Sequence, residues 1–183
     1  MRGTYESLAA RLEELSRLGG VMGILHWDQE VIMPEGATEA RAKQISALAG
    51  IVHDKATAPE IGEWLAKLLA NDSSSRFDSF ETCNIREAKR DYDRMTKIPK
   101  ALVQEMAELS SRGHAVWALA RKDDQYDDFA PVLKRFVELK IQWARCIDPE
   151  KPPYDVNIDY YERGMTMARL DPIFERLKAE IVP

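Results

Sequence analysis

The sequence predicts an all-α fold, an antiparallel array of about six to eight helices. Three observations carry that expectation. Apolar residues recur at spacings of three and four in one block after another. Clusters of Pro, Gly, Asn, Asp and Ser punctuate the blocks. No segment alternates apolar and polar residues as a half-buried strand would, and no internal repeat is visible.

The first block runs from Thr4 to Glu30. Its Tyr5, Leu8, Leu12, Leu15, Gly19, Met22 and His26 form a seam for a neighbour packed at a shallow angle. Gly19-Gly20 inside it costs helix propensity, so either the helix breaks there or another backbone comes close. Met33-Pro34-Glu35-Gly36 is a stop. A second helix over Thr38–His53 turns Ile45, Leu48 and Val52 to one side, and Ala58-Pro59 opens a third with Ile61, Leu65 and Leu68. Asn71–Ser75 reads as a loop; its formal glycosylation sequon is discounted because nothing suggests secretion.

The fourth helix, Ser79–Lys97, carries Ile85, Ala88, Tyr92 and Met95 on one face and charge on the other, and Ile98-Pro99 ends it. The fifth, Lys100–Lys122, shows Leu102, Met106, Leu109, Gly113, Val116/Trp117 and Ala120. The sixth starts at an N-cap Asp127 or Asp128 and reaches Cys146, with Phe129, Val132/Leu133, Phe136, Trp143 and Ile147 as its stripe. Asp148–Pro153 is a stiff connector, and the structure of Tyr154–Gly164 stays open. A last helix starts at an N-cap Asp171 with Pro172 in its first position, bearing Ile173, Phe174, Leu177 and Ile181. The whole reads as one helical domain, 1–183, with an array over 1–148 and a connector plus terminal helix over 149–183.

Composition narrows the function. The chain has 183 residues, with 26 Lys and Arg against 31 Asp and Glu, a net charge of −5. That balance argues against nucleic acid as a partner. The uncharged stretch Leu18–Trp27 is too short to cross a bilayer, and no signal peptide is readable. Cys83 and Cys146 make neither a disulfide framework nor a metal knuckle. A cytoplasmic, reducing-compartment protein is the expectation, with no membrane and no nucleic acid.

Metal and nucleophile motifs are missing. The histidines are His26, His53 and His114; none starts a His-Glu-x-x-His, and no Glu-x-x-His occurs. Phosphate-cradling glycine loops and a Gly-x-Ser-x-Gly elbow are absent too. The densest polar cluster is His26-Trp27-Asp28-Gln29-Glu30. His26 and Glu30, one turn apart, could share a proton or a metal, but two ligands without a third make a poor site, and a solvated helix end is the plainer reading. The Arg86–Lys97 block reads as an exposed face laced with ion pairs rather than an anion site. Trp117, Phe129, Phe136 and Trp143 read as packing, not a ligand cage. Tyr154, Tyr160 and Tyr161 beside Asp155, Asp159 and Glu162 admit two readings, a groove lining and a capped turn.

Several phrases line up in order: Trp27-Asp28-Gln29-Glu30-Val31-Ile32-Met33-Pro34-Glu35-Gly36, Glu39-Ala40-Arg41, Asn84–Tyr92, Lys97-Ile98-Pro99, Trp117–Arg121, Phe129-Ala130-Pro131, Pro153-Tyr154-Asp155 and Tyr161–Thr166. As a set they resemble the N-terminal part of the thermostable carboxypeptidase Taq family of zinc metallocarboxypeptidases. The resemblance covers essentially this whole chain and well under half of a typical member. It implies an almost all-helical fold, a deep groove, a homodimer and removal of C-terminal residues from peptides. It also implies zinc on a His-Glu-x-x-His helix plus a later glutamate, with the motif's glutamate as general base. That motif does not occur in this sequence, so no catalytic or metal residue carries over, and zinc is expected only for a full-length member. Two departures stand out: Arg163 lies where the family commonly has proline, and Asn157 and Ile158 fall in a stretch usually rich in leucine.

In such enzymes the N-terminal helices wall or cap the groove. His26, Trp27, Asp28, Glu30, Tyr154, Tyr160 and Tyr161 are therefore the substrate-groove candidates. The expected partners are a second copy, the catalytic portion or a full-length relative, and a peptide only once the enzyme is completed. The rival reading is a standalone, non-catalytic helical dimerisation or interaction module.

Overall fold

A computed structural model describes residues 1–70 and 77–181. The elements are α1 (Arg2–Val31), a single 3-10 turn (Glu35–Ala37), α2 (Thr38–Ala56), α3 (Pro59–Leu69), α4 (Ser79–Met95), α5 (Lys100–Lys122), α6 (Tyr126–Ile147), α7 (Pro153–Tyr161) and α8 (Met167–Ile181). No strand occurs among the described residues, so the fold is all-α. The expected loop and sequon at Asn71–Ser75 lie outside the described residues. The chain divides into two compact units, Met1–Leu133 and Lys134–Pro183.

In the first unit, α1 is one unbroken helix of 30 residues, about 45 Å long at 1.5 Å per residue. The glycine pair does not break it. Nor does another backbone come close: a Cβ added at Gly19, Gly20 or Gly23 would meet nothing within 4 Å. Both explanations offered for the pair therefore fail among the described residues. The helix ends where Ile32 and Met33 both donate to the Asp28 carbonyl, at 3.0 and 2.8 Å, before Pro34 in extended conformation.

The core gathers where α1 begins. Tyr5 and Leu8 are buried with Ile61, Leu65 and Leu68 of α3 and with Phe77, Ile85 and Ala88 in and before α4. α4 starts on a capping box: Glu81 N–H donates to Asp78 Oδ1 at 2.8 Å, and Asp78 N–H donates to Glu81 Oε2 at 3.3 Å.

A second packing line joins α2 to α5, the most extensive helix pairing of the fold. Its α2 side is built from Ala42, Ile45, Ser46, Ala49, Gly50 and His53, all buried; the expected Leu48 and Val52 are only half-buried. Small residues let the helices approach. Ser46 Oγ donates to the Gln104 carbonyl at 3.1 Å, and Gln104 Nε2 returns a bond to the Ser46 carbonyl at 3.4 Å. His53 Nε2 lies 2.7 Å from the Ile98 carbonyl. A carbonyl only accepts, so Nε2 carries the proton there, and Nδ1 is buried with no partner among the described residues.

In the second unit, Leu139, Ala144 and Ile147 of α6 and Val156 of α7 are buried. The segment left open from sequence is α7 followed by a capped turn. Gly164, at φ 76°, gives its N–H to Asp159 Oδ1, and Met167 N–H goes to Asp155 Oδ1, each at 2.8 Å. That second bond starts α8 a turn earlier than the sequence suggested. Asp171 and Pro172 consequently sit inside the helix and are not its cap. Asp127 and Asp128 likewise occupy the first turn of α6, which opens at Tyr126.

Candidate functional site

The C-terminal turns of α1, the 3-10 turn and the start of α2 meet the middle of α5. The contacts that bring them together are polar. Arg41 of α2 reaches back to α1, donating from Nη2 to Asp28 Oδ2 at 2.5 Å and from Nη1 to the Leu25 carbonyl at 2.6 Å. Only 13% of the Arg41 side chain is exposed, so this pair is screened less than a surface one. Gln29 accepts from the buried Ser111 Oγ at 2.5 Å. Glu30 Oε2 lies 2.8 Å from His114 Nε2. Arg112 joins Glu39 of α2 at 2.6 Å and Glu108 of its own helix at 2.9 Å. Between these contacts lies a pocket of about 210 Å³, with Met33, Ala115, Ala118 and Leu119 as apolar lining and Gln29, Glu35, Thr38 and His114 among its polar lining.

The sequence candidates fall out as follows. Asp28 is engaged with Arg41, and Glu30 pairs with His114 across the helices and not with His26 on its own. His26 is exposed, and Trp27 has 56% of its surface open. In the second unit, Tyr154, Tyr160 and Tyr161 are exposed. Tyr160 stands edge-on to Trp143 at 5.5 Å and to Tyr161 at 5.4 Å, and Lys140 Nζ sits 5.4 Å from the Trp143 ring centre. Trp117, read as packing, is instead exposed, with the Arg121 guanidinium 5.5 Å from its ring and His114 beside it. On α4, Lys89 pairs with Asp93, and Arg86 with Glu87 at 2.9 Å, in keeping with a solvated face.

Sequence reasoning missed the pocket itself, and with it Glu35, Ser111 and His114. Its one trace in the sequence is Ser111, Ala115 and Ala118, a line of small residues at spacings of four and three that leaves space unfilled.

The histidines do not fit a zinc ion. His53 and His114 spend Nε2 on Ile98 and Glu30, and His26 is exposed on α1. Among the described residues, no three His, Cys, Asp or Glu side chains are grouped to hold a metal. Also among them, no helix is long and apolar enough to cross a membrane.

An all-helical array with a small pocket between helices of its first unit is the class of structure these elements define. The chain belongs to the carboxypeptidase Taq (M32) metallopeptidase family, whose sequence pattern matches residues 7–183. Thermostable carboxypeptidase 1 of Thermus thermophilus is 34% identical over an alignment covering 95% of this chain and 36% of its own length. Trypanosoma cruzi metallocarboxypeptidase 1 superposes with a TM-score of 0.76 at 28% identity, over 98% of this chain and 36% of its own. The crystal structure of BsuCP shares the fold, with a TM-score of 0.92 at 24% identity over 99% of this chain and 36% of its own. The chain thus spans about a third of the length of the relatives it matches.

Proposed function

We propose that this chain serves as the N-terminal substrate-groove and cap part of a zinc metallocarboxypeptidase that removes C-terminal residues from peptides. Alone, it neither holds zinc stoichiometrically nor cleaves peptides. The observation that carries this reading is the contrast in coverage: nearly all of this chain matches about a third of each relative. In the completed enzyme these helices shape access to the groove and keep its wall rigid. The Asp28–Arg41 and Glu30–His114 contacts fix the end of α1 in place for that purpose. The enzyme works as a cytoplasmic homodimer, and peptide is its substrate only when completed.

Two measurements test this. The purified chain should contain well under one zinc per molecule and release no amino acid from a blocked dipeptide. Mixed with the remaining two thirds of the Thermus thermophilus relative, made separately, it should restore release. Stoichiometric zinc that is lost on His26→Ala sinks the proposal. Intact mass of the protein captured from its source cell adds a second check: a mass well above 20.9 kDa places the zinc motif on the same polypeptide.

A second reading, a non-catalytic dimerisation or interaction module, draws on α8. Its Ile173, Phe174, Leu177 and Ile181 are 43–70% exposed, and no residue of the helix is buried. Exposed apolar faces favour association. A strictly monomeric chain at high concentration, with little binding of an apolar dye, would make the module self-sufficient and weaken the first reading; self-association with strong dye binding would support a wall that lacks its remainder.

A further inference from the structure

We propose that the pocket between the end of α1, the 3-10 turn and α5 is a binding site for a basic peptide side chain, a lysine or an arginine. This deepens the groove-wall reading and rests on it for the peptide, but its test does not use catalysis.

Size comes first. At about 210 Å³ the pocket falls below the roughly 300–1,000 Å³ of sites for whole drug-sized molecules. It suits one long side chain. Its apolar lining is Met33, Ala115, Ala118 and Leu119, enough to cover an aliphatic stem of three or four carbons.

Charge then selects the head group. The nearby ionic groups are mostly spoken for: Asp28 by Arg41, Glu30 by His114, and Glu39 by Arg112. Glu35 is the exception. It lines the pocket, and its carboxylate has no ionic partner among the described residues. A purely apolar occupant leaves the charge of that exposed carboxylate unanswered. An acidic occupant is repelled. An ammonium or guanidinium on a flexible stem does both jobs: its methylenes lie on the apolar floor and its cation meets Glu35. His114 Nε2 is taken up by Glu30.

The test is a titration of the 183-residue chain, followed by amide NMR, with Nα-acetyl-lysine amide and Nα-acetyl-norleucine amide. The two ligands share the stem and differ in the ammonium. Lysine amide is expected to saturate, to shift the amides of Ala115, Ala118 and Leu119, and to bind about three- to fivefold tighter than norleucine amide at low salt. High salt should shrink that ratio. Glu35→Gln, at an exposed position that leaves the fold intact, should bring the ratio to about one without weakening norleucine amide. Ala118→Leu should weaken both ligands, with helicity checked by circular dichroism. The proposal is overturned if neither ligand saturates, if norleucine amide binds the wild type as well as lysine amide does, or if the preference survives Glu35→Gln. Failure here leaves the groove-wall reading standing on reconstitution with the relative's remainder. Failure of that reconstitution leaves the pocket standing on the titration.

Discussion

The two halves of α1 follow opposite rules. The first half buries Tyr5 and Leu8 in the core with α3 and α4, and half-buries Leu12 against it. The second half buries nothing, carries Gly19, Gly20 and Gly23 with open space around each, and exposes Val21, Ile24, Trp27 and Val31. One helix is thus held by packing at one end and by polar contacts at the other, through Arg41, Ser111 and His114. The lesson is that helix continuity does not require uniform burial. A long helix anchored at both ends tolerates a glycine-bearing stretch with no buried residue.

The sharpest break of that comparison is Leu8→Ala. Leu8 is fully buried, so truncation should cost about 3 kcal/mol through lost transfer energy and a residual cavity. Ile24→Ala, on the same helix but 66% exposed, should stay within about 0.5 kcal/mol. Urea unfolding of the two variants measures both. Equal losses would mean that the second half of α1 is covered after all, by a second copy or another partner.

The glycines give the next effect, with a change of sign. At Gly62 of α3 an added Cβ would sit 2.8 Å from the Tyr92 hydroxyl and 3.1 Å from its ring carbons. The rigid ring cannot yield cheaply, so Gly62→Ala should destabilise by about 1 kcal/mol even after its gain in helix propensity. Gly20→Ala meets open space and should stabilise by about 0.5–1 kcal/mol. Thermal unfolding read side by side decides this, and a destabilising Gly20→Ala would reveal a close neighbour at that face.

Large apolar residues made part of this legible beforehand. Ile61, Leu65 and Leu68 stand buried where the spacing put them, as do Ile85 and Ala88. The α2–α5 line was harder to read because Ala42, Ser46, Ala49 and Gly50 carry little hydrophobic signal. They pack through closeness, not through area. The starts of α6 and α8 were misplaced because each Asp looked like a cap in isolation, while the bond that starts α8 comes from Asp155, twelve residues before Met167. Of the candidate site, the His26–Glu30 cluster was visible as chemistry, but its partners were not. Arg41, Ser111 and His114 reach it only through tertiary packing, which one-dimensional spacing does not encode.

A smaller effect tests how the middle of α1 is tied to α2, just before the glycines. Lys55 Nζ of α2 meets Glu14 Oε1 at 2.6 Å, and Arg11 Nε lies 3.3 Å from the other carboxylate oxygen. The Lys55 hydrogen bond, with the charges of Lys55 and Arg11, holds the Glu14 carboxyl below the usual glutamate range. A carboxylate whose pKa is lower in the folded state binds fewer protons there than in the unfolded chain. Its contribution to stability is therefore present above the unfolded value, about 4.3, and fades as pH falls through the lower folded value. Wild type should unfold at a slightly higher temperature than Glu14→Gln at pH 7, and the gap should close on acidification below about pH 4. Salt should narrow it as well, because the pair is largely open to solvent. The absence of any gap at pH 7 would assign the tie to packing of the Glu14 and Lys55 stems, which Glu14→Gln keeps, and α1 would then be held to α2 by contact rather than by charge along this stretch.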